Sequence, residues 1–225
     1  MKTRKVIILL FIASMLLGCA AFPSSILPPN EVRDAFLDVL LGGELRFRGC
    51  NYRSPTGEFA EYIKLSEIFA AAEEPYYKHA IRRFAIVDMN GDGQPEVVLE
   101  IGAYYDKIIL FYEEEIVYGF EYMKRSMMLL KTDGTFCLAG GVDNYYGRLH
   151  FSKGEIELEF TGYYQFSPEN PRFFIGVDRV SEIEYKKFDD SQMQKEDIEW
   201  HPYINETITE HFPLVWSIYG GTGKT

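Results

Sequence analysis

From residue 81 onward the chain is divided into short apolar or alternating segments that are separated by turn residues, and this pattern restricts the fold most. Residues 155–160 alternate charged and apolar side chains strictly, which is typical of a strand with one solvated face and one packed face. Three pairs of such segments flank short turns at residues 113–115, 131–134 and 152–154. We therefore predict three β-hairpins, of which the one with Asp133-Gly134 has the strongest turn signal. Further strands are predicted at 44–47, 82–87, 97–101 and 173–177.

Helices are predicted on both sides of this strand-rich region. Asn30 is the expected N-cap of a first helix whose apolar face consists of Val32, Phe36, Val39 and Leu40, and Gly42-Gly43 ends it. A second helix is expected at residues 65–72.

Ser181 and Glu184 have the spacing of a capping box, which begins a polar helix that reaches about residue 195. Its few apolar contacts would be Ile183 and Phe188, and residues 207–212 would add one or two further turns. The sequence thus predicts one α+β domain over residues 30–219. Its core would be a mainly antiparallel sheet of hairpins with the N-terminal and C-terminal helices packed on it. Residues 220–225 are expected to be a disordered tail.

The first 18 residues have the composition of a secretory signal. Lys2, Arg4 and Lys5 precede an apolar run at 6–17, and Gly18-Cys19 follows. The run is shorter than the roughly 20 residues that a membrane-spanning helix needs. We therefore expect residues 1–18 to be removed by cleavage before Cys19.

The segment Leu16-Leu17-Gly18-Cys19 resembles the lipobox of bacterial lipoproteins, although Leu17 stands where that family more often has a smaller residue. The resemblance implies that the Cys19 thiol carries diacylglycerol, with palmitate-type acyl chains, and becomes the new N-terminus. It also implies an extracytoplasmic protein that is lipid-anchored to a bacterial membrane. Residues 19–29 would be the lipidated cysteine and a tether rich in small residues and proline.

Charge restricts the partners of the remaining chain. Without residues 1–18 it keeps 20 of the 23 Lys and Arg residues and all 34 Asp and Glu residues, a formal charge of −14. Nucleic acids and anionic lipid head groups need a basic patch, so neither is expected as a partner. With Cys19 assigned to lipid, Cys50 and Cys137 are compatible either with a disulfide or with two buried thiols, and their spacing fits no zinc site.

An oxygen-rich loop at residues 88–96 is the motif that carries chemistry. Hard cations such as calcium take six to eight oxygen ligands, and Gly91 and Gly93 give the backbone the freedom to curl around one. It is not a complete EF-hand, because Leu99 stands where that loop ends in glutamate and apolar strands flank it. A solvated turn that binds no metal is the alternative. The predicted ligands are the side chains of Asp88, Asn90, Asp92 and Glu96 and the carbonyl of Gln94.

The loop with its flanking strands resembles the strand-loop-strand calcium loops of FG-GAP and VCBS extracellular repeats, over residues 82–102 in a single copy. A wider resemblance, carried by residues 84–99, 117–120, 130–136 and 195–200, is to uncharacterised lipoproteins of Firmicutes-type bacteria. It implies an extracytoplasmic location and supplies no catalytic residues.

No catalytic residue is assigned. His79, His150, His201 and His211 form no zinc motif, and no serine lies in a Gly-x-Ser-x-Gly elbow. The tyrosine pairs at 104–105, 145–146 and 163–164 are candidates for a sugar-binding or peptide-binding surface. We expect a non-catalytic module that binds an unknown protein or carbohydrate and has a calcium-stabilised loop. A cell-envelope hydrolase, or an inhibitor or structural partner of another envelope protein, is the alternative.

Overall fold

Strands dominate the described part of the chain. The computed structural model describes residues 29–48, 60–70, 81–102, 106–122, 127–140, 143–152 and 154–220, and it is of the predicted α+β class, with antiparallel sheets and a few helices. The helices are α1 (Pro29–Leu40), α2 (Leu65–Ala70), α3 (Glu182–Met193) and α4 (Phe212–Gly220), and a π-helical turn at Thr207–His211 leads into α4. The strands are β1 (Glu44–Arg48), β2 (Ile63–Lys64), β3 (Ile81–Val87), β4 (Glu96–Ile101), β5 (Asp106–Glu113), β6 (Ile116–Tyr122), β7 (Phe136–Gly140), β8 (Asp143–Ser152), β9 (Glu155–Gln165), β10 (Arg172–Ile175), β11 (Asp178–Val180) and β12 (His201–Pro202).

The first helix has the predicted apolar face. Val32, Phe36, Val39 and Leu40 are all buried. The helix begins two residues earlier than predicted, at Pro29, so Asn30 lies in the first turn and is not the residue before it. Proline suits that first position because its φ is already helical and the N–H that it lacks would have no partner there.

Seven strands form the first sheet, in the order β12-β3-β4-β5-β6-β1-β2. Strands β3 to β6 follow one another as antiparallel neighbours. The exception to the antiparallel pattern is β1, which lies parallel to β6 with Phe47 opposite Gly119. A Cβ on Gly119 would approach the Leu45 and Phe47 side chains too closely, so glycine permits this pairing.

The second sheet has the order β11-β10-β9-β8-β7 and is antiparallel throughout. Tyr146 pairs with Gly162 and Gly147 pairs with Phe160, so Thr161 is an extra residue that forms a bulge in β9. A bulge bends a strand and changes the direction of the side chains beyond it.

The first sheet is buried on both faces. On one face α1 and α4 pack over a cluster that includes Phe36, Phe84, Leu110 and Trp216. On the other face Ala85, Val87, Val98 and Ile109 pack against Phe136 and Leu149 of the second sheet. The order of layers is therefore helices, first sheet, second sheet.

Several predicted elements differ in detail. The first arm of the predicted hairpin around residues 131–134 is not a regular strand. An isolated bridge between Met128 and Cys137 joins it to the second arm. The last predicted strand, 173–177, ends two residues early, at Ile175 in β10, because Gly176 has a φ of +58° and reverses the chain towards β11.

The capping box of Ser181 and Glu184 is confirmed, with both of its hydrogen bonds present. The predicted role of Ile183 in packing is wrong, because its side chain is 70% exposed and Tyr185 is the buried residue of α3. The C-terminal helix is longer than predicted, and its Phe212 and Trp216 are buried in the core. Among the described residues, no helix has both the length and the apolarity needed to cross a bilayer.

Candidate functional site

The oxygen-rich loop connects β3 to β4 and is held in a curl by its own side chains. Gly91 and Gly93 have φ values of +79° and +89°, which side chains other than hydrogen disfavour. Asp88 accepts hydrogen bonds from the N–H groups of both glycines, through Oδ1 at 2.7 Å and through Oδ2 at 2.9 Å. The first predicted ligand therefore closes the loop over its own backbone.

Asn90 and Asp92 continue this pattern. The N–H of Asp92 donates to Oδ1 of Asn90 at 3.0 Å, and the N–H of Gln94 donates to Oδ1 of Asp92 at 2.7 Å. In addition, Nδ2 of Asn90 donates to Oδ2 of Asp92 at 2.8 Å. A carboxylate offers about four lone-pair positions, so these bonds leave acceptor capacity on both aspartates.

Glu96 lies beneath the loop as a buried carboxylate. Its side chain is 2% exposed, and its Oε2 accepts a hydrogen bond of 2.7 Å from the N–H of Met89. Burial raises the pKa of Glu96 well above its ordinary value, and the nearby charges of Asp92 and Asp88 raise it further. A cation bound in the loop would offset all three of these unfavourable charge effects.

Gln94 has a structural contact in addition to its predicted role. Its Nε2 donates a hydrogen bond of 2.7 Å to the carbonyl of Tyr112 at the end of β5. This bond ties the loop to the neighbouring strand. It uses the side-chain nitrogen of Gln94 and not the carbonyl that is predicted as a ligand.

The loop also docks on the second sheet. A Cβ on Gly134 would lie 2.5 Å from the Cα of Met89, so the Asp133-Gly134 turn touches the loop backbone directly. Nη2 of Arg148 donates to the carbonyl of Asp133 at 3.1 Å, and its Nη1 lies 4.0 Å from where a Gly91 Cβ would be. Nζ of Lys195 lies 2.7 Å from Oδ2 of Asp133 and forms an ion pair with it. The loop therefore joins the two sheets.

The predicted ligands fit calcium in their donor chemistry, since all of them are oxygen atoms. The structure brings Asp88 and Asp92 close enough to Glu96 to affect its pKa. Within the described ranges, no three His, Cys, Asp or Glu side chains are placed so that they could hold a metal as they stand. Joint binding by the three carboxylates would therefore require them to move closer together, and calcium stays a prediction.

The cysteines are described only in part. Cys19 and Cys50 lie outside the described residues, as do His79 and the tyrosines at 104–105. Cys137 is a buried free thiol on β7. Burial and the nearby charge of Asp189 raise the pKa of this thiol.

The two described tyrosine pairs divide between the faces of the second sheet. Tyr146 is buried and contacts Phe188 of α3, whereas Tyr145 lies on the other face. Tyr145, Phe160, Tyr163 and Phe174 form what we call the aromatic face. Their ring centroids are 5.5 Å apart for Tyr145–Phe160 and 4.5 Å apart for Tyr163–Phe174. Phe160 is 44% exposed, and the other three are half-buried. This surface can offer flat rings and phenolic hydroxyls to a ligand.

A polar row, which no local sequence pattern predicts, crosses the first sheet on the side that faces the second sheet. Glu100 lies opposite Arg83 on β3 and opposite Lys107 on β5. Its carboxylate accepts from Nε of Arg83 at 2.7 Å, from Nη2 of Arg83 at 2.9 Å and from Nζ of Lys107 at 2.8 Å. Burial opposes the charge of Glu100, but the hydrogen bonds from Arg83 and Lys107 lower the pKa of its carboxyl below the ordinary value. Only the strand register, which the sequence does not provide, aligns these three charges.

Trp200 covers this row. The guanidinium carbon of Arg83 lies 4.5 Å from the centroid of the Trp200 ring, and Nζ of Lys107 lies 5.3 Å from it. A cavity of about 340 Å³ opens beside the tryptophan. It is lined by Arg82, Arg83, Glu100, Trp200 and Pro202.

The described histidines have separate surroundings. Nε2 of His150 lies 2.7 Å from Oε2 of Glu159 on an exposed part of the second sheet. His201 packs against Phe84, and His211 is exposed in the π-helical turn.

Glu100 is an ion-paired carboxylate, so near neutral pH it has no proton to donate as a general acid. These contacts give no specific support to a hydrolase.

The comparisons with known proteins give no family assignment. No family model matches this chain, and neither a curated protein nor a solved structure matches it.

Proposed function

We propose that this chain is a lipid-anchored, extracytoplasmic binding module that holds a carbohydrate on its aromatic face and is stabilised by calcium in the loop between β3 and β4. The aromatic face is the observation that carries the binding role. It presents four rings on one side of β8, β9 and β10, and Phe160 is 44% exposed.

The size of this face favours a short chain of sugar rings over a folded protein. A stable protein–protein interface takes about 20 to 30 residues from each partner, and four rings are far fewer. Flat rings with hydroxyl tips can contact the apolar face of a sugar while Tyr145 and Tyr163 hydrogen-bond to its hydroxyls. The rings also contact one another, so little side-chain entropy is lost when a ligand binds.

Titration of the purified full chain with oligosaccharides from bacterial cell walls, followed by NMR or calorimetry, tests the binding role. We expect Phe160→Ala and Tyr163→Ala to weaken binding about tenfold or more, because each removes a stacking ring. Phe166→Ala is the matched control, since Phe166 is an exposed aromatic that contacts Tyr164 on the opposite side of the sheet. Equal affinities in all three variants, or binding of proteins alone, would contradict the proposal.

The calcium part rests on the buried Glu96 and on the curl that Asp88 and Asp92 impose on the loop. We expect calcium to bind with measurable heat and to raise the melting temperature of the full chain. Asp92→Asn should reduce both effects, and Asp190→Asn, an exposed substitution on α3, should change neither. A calcium-independent melting temperature in the unmodified chain would exclude this part.

The anchor rests on the lipobox-like segment that ends at Cys19. When an expressing bacterium grows with labelled palmitate, we expect the chain to become labelled. Fractionation of the same cells should recover the chain with the membranes. Cys19→Ser should abolish the label and block processing. If the Cys19→Ser chain were processed and fractionated like the original, the anchor would be disproved.

A further inference from the structure

The cavity beside Trp200 combines positive charge with a ring surface, in a chain whose formal net charge is −11. Of the charged side chains that line it, Arg82 and Arg83 are positive and Glu100 is negative. Glu100 is already neutralised by Arg83 and Lys107. Two guanidinium groups and one carboxylate therefore line the cavity, and a cavity concentrates the field of the charges that line it.

A bulge in β3 brings the two arginines together. Ile81 pairs with Ile101 and Arg83 pairs with Glu100, so Arg82 is the extra residue between them. Successive residues of a regular strand point to opposite faces, whereas a bulge redirects one of them. As a result Arg82 and Arg83 line the same cavity.

Arg83 keeps donors available in this position. A guanidinium has five N–H donors, and Arg83 uses Nε and one N–H of Nη2 for Glu100. In the part of the chain that the structure describes, nothing accepts a hydrogen bond from Nη1 of Arg83. The bidentate bond to Glu100 and the Trp200 ring at 4.5 Å hold the guanidinium in place without using those donors. The Arg83 guanidinium is thus already oriented to donate hydrogen bonds to a second, external oxyanion.

Glu100 and Lys107 of the polar row are buried, and stability alone does not explain why. Desolvating an ion pair costs about as much as its attraction returns, and apolar residues at such positions are often equally stable. A buried carboxylate that fixes the geometry of a guanidinium beside a cavity is a common property of binding sites.

We infer that this cavity binds a small organic oxyanion, a carboxylate or a phosphate monoester, whose charge is held by Arg82 and Arg83 while its ring or carbon chain lies along Trp200 and Pro202. The volume of about 340 Å³ is enough for a single sugar acid or sugar phosphate. This site is separate from the aromatic face and does not depend on the proposed carbohydrate binding there.

Tryptophan fluorescence provides a direct readout. The chain has two tryptophans, and the second, Trp216, is buried beside Phe36 on the other side of the first sheet. In a Trp216→Phe background the emission comes from Trp200 alone. Glucose 6-phosphate, glucuronate, neutral glucose and inorganic phosphate are the probes, since the first three share a ring and differ in charge.

We expect saturable changes with glucuronate or glucose 6-phosphate, none with glucose, and weaker binding of inorganic phosphate. Arg82→Gln should weaken binding about tenfold, the usual cost of a charge-assisted hydrogen bond. Arg179→Gln, the same charge change at an exposed position on β11, should have an effect of less than about twofold. Melting curves of both variants confirm that they are folded.

Absence of a saturable change with either sugar anion at about 10 mM would overturn the inference. It would also be overturned by equal binding of glucose, by inorganic phosphate binding as tightly as both sugar anions, or by an unchanged affinity in Arg82→Gln. None of these outcomes bears on Phe160 or Tyr163, so this site and the aromatic face are tested separately.

Discussion

The N–H of Met89 donates a 2.7 Å hydrogen bond to Oε2 of Glu96, and this bond joins the two ends of the loop inside the core. The pKa of Glu96 is raised above 4.5, chiefly by burial. Between 4.5 and the higher native pKa, the unfolded chain has released its proton while the folded chain still holds it. The free energy of unfolding therefore falls as the pH rises through this window.

We predict that Glu96→Gln flattens this pH dependence, because glutamine can accept the Met89 bond without a charge. Urea unfolding of the full chain in EDTA, from about pH 4 to about pH 8, measures the slope. Calcium should flatten the slope in the original chain and should stabilise Glu96→Gln less. Glu157→Gln, at an exposed position of β9, should behave as the original chain does. Equal slopes in Glu96→Gln and the original chain would contradict this assignment.

Gly134→Ala should destabilise the protein more than Gly176→Ala. Both glycines have positive φ, +79° and +58°, so alanine costs about 1–2 kcal/mol of backbone energy at each. Only at Gly134 would the added methyl collide with the Met89 backbone, whereas nothing lies within 4 Å at Gly176. We expect Gly134→Ala to lose about 1–3 kcal/mol more in chemical unfolding. Equal losses would mean that the loop and the Asp133-Gly134 turn are not in contact.

A glycine substitution in the turn between β5 and β6 should stabilise the folded protein. Glu114 and Glu115 have φ values of +51° and +64°, which a two-residue hairpin turn requires and which glycine adopts at little cost. We predict that Glu115→Gly raises the free energy of unfolding by about 1 kcal/mol, as measured in urea. Glu157→Gly, in an extended strand, should instead lower it by about 0.5–1 kcal/mol. A loss of stability in Glu115→Gly would show that the turn has another conformation.

Cys137 should resist alkylation in the folded chain. Its thiol is buried, and its raised pKa keeps the reactive thiolate scarce at about pH 8. Iodoacetamide followed by mass spectrometry should modify Cys137 slowly in buffer and rapidly in urea. Persistent protection in urea that a reductant removes would show a disulfide instead of a thiol.

The elements that local chemistry determines were predictable from the sequence. The apolar face of α1, the capping box at Ser181 and the hairpin of β8 and β9 are confirmed, because each depends on residues that are near one another in the chain. The parallel pairing of β1 with β6 and the two-residue strand β12 were missed, because they depend on partners far away in sequence.

The candidate sites follow the same division. The loop at 88–96 is a local motif, so its residues could be named from the sequence, although its calcium remains a prediction. The row of Arg83, Glu100 and Lys107 exists only through strand register, and the cavity also needs Trp200 from a distant segment. Adjacent residues of a strand point to opposite faces, so the sequence predicts that each tyrosine pair is divided between the two faces of the sheet. Which ring of a pair is exposed depends on the position of α3.

The contact between Phe36 and Trp216, whose ring centroids are 5.5 Å apart, determines when the fold can be completed. The helical side of the first sheet cannot be closed until α4, residues 212–220, has been synthesised. Until then Phe36, Phe84 and Leu110 lack part of their cover, and exposed apolar surface of this kind promotes aggregation. A nascent chain that stops before Phe212 therefore cannot bury this surface and becomes a substrate for chaperones or proteases.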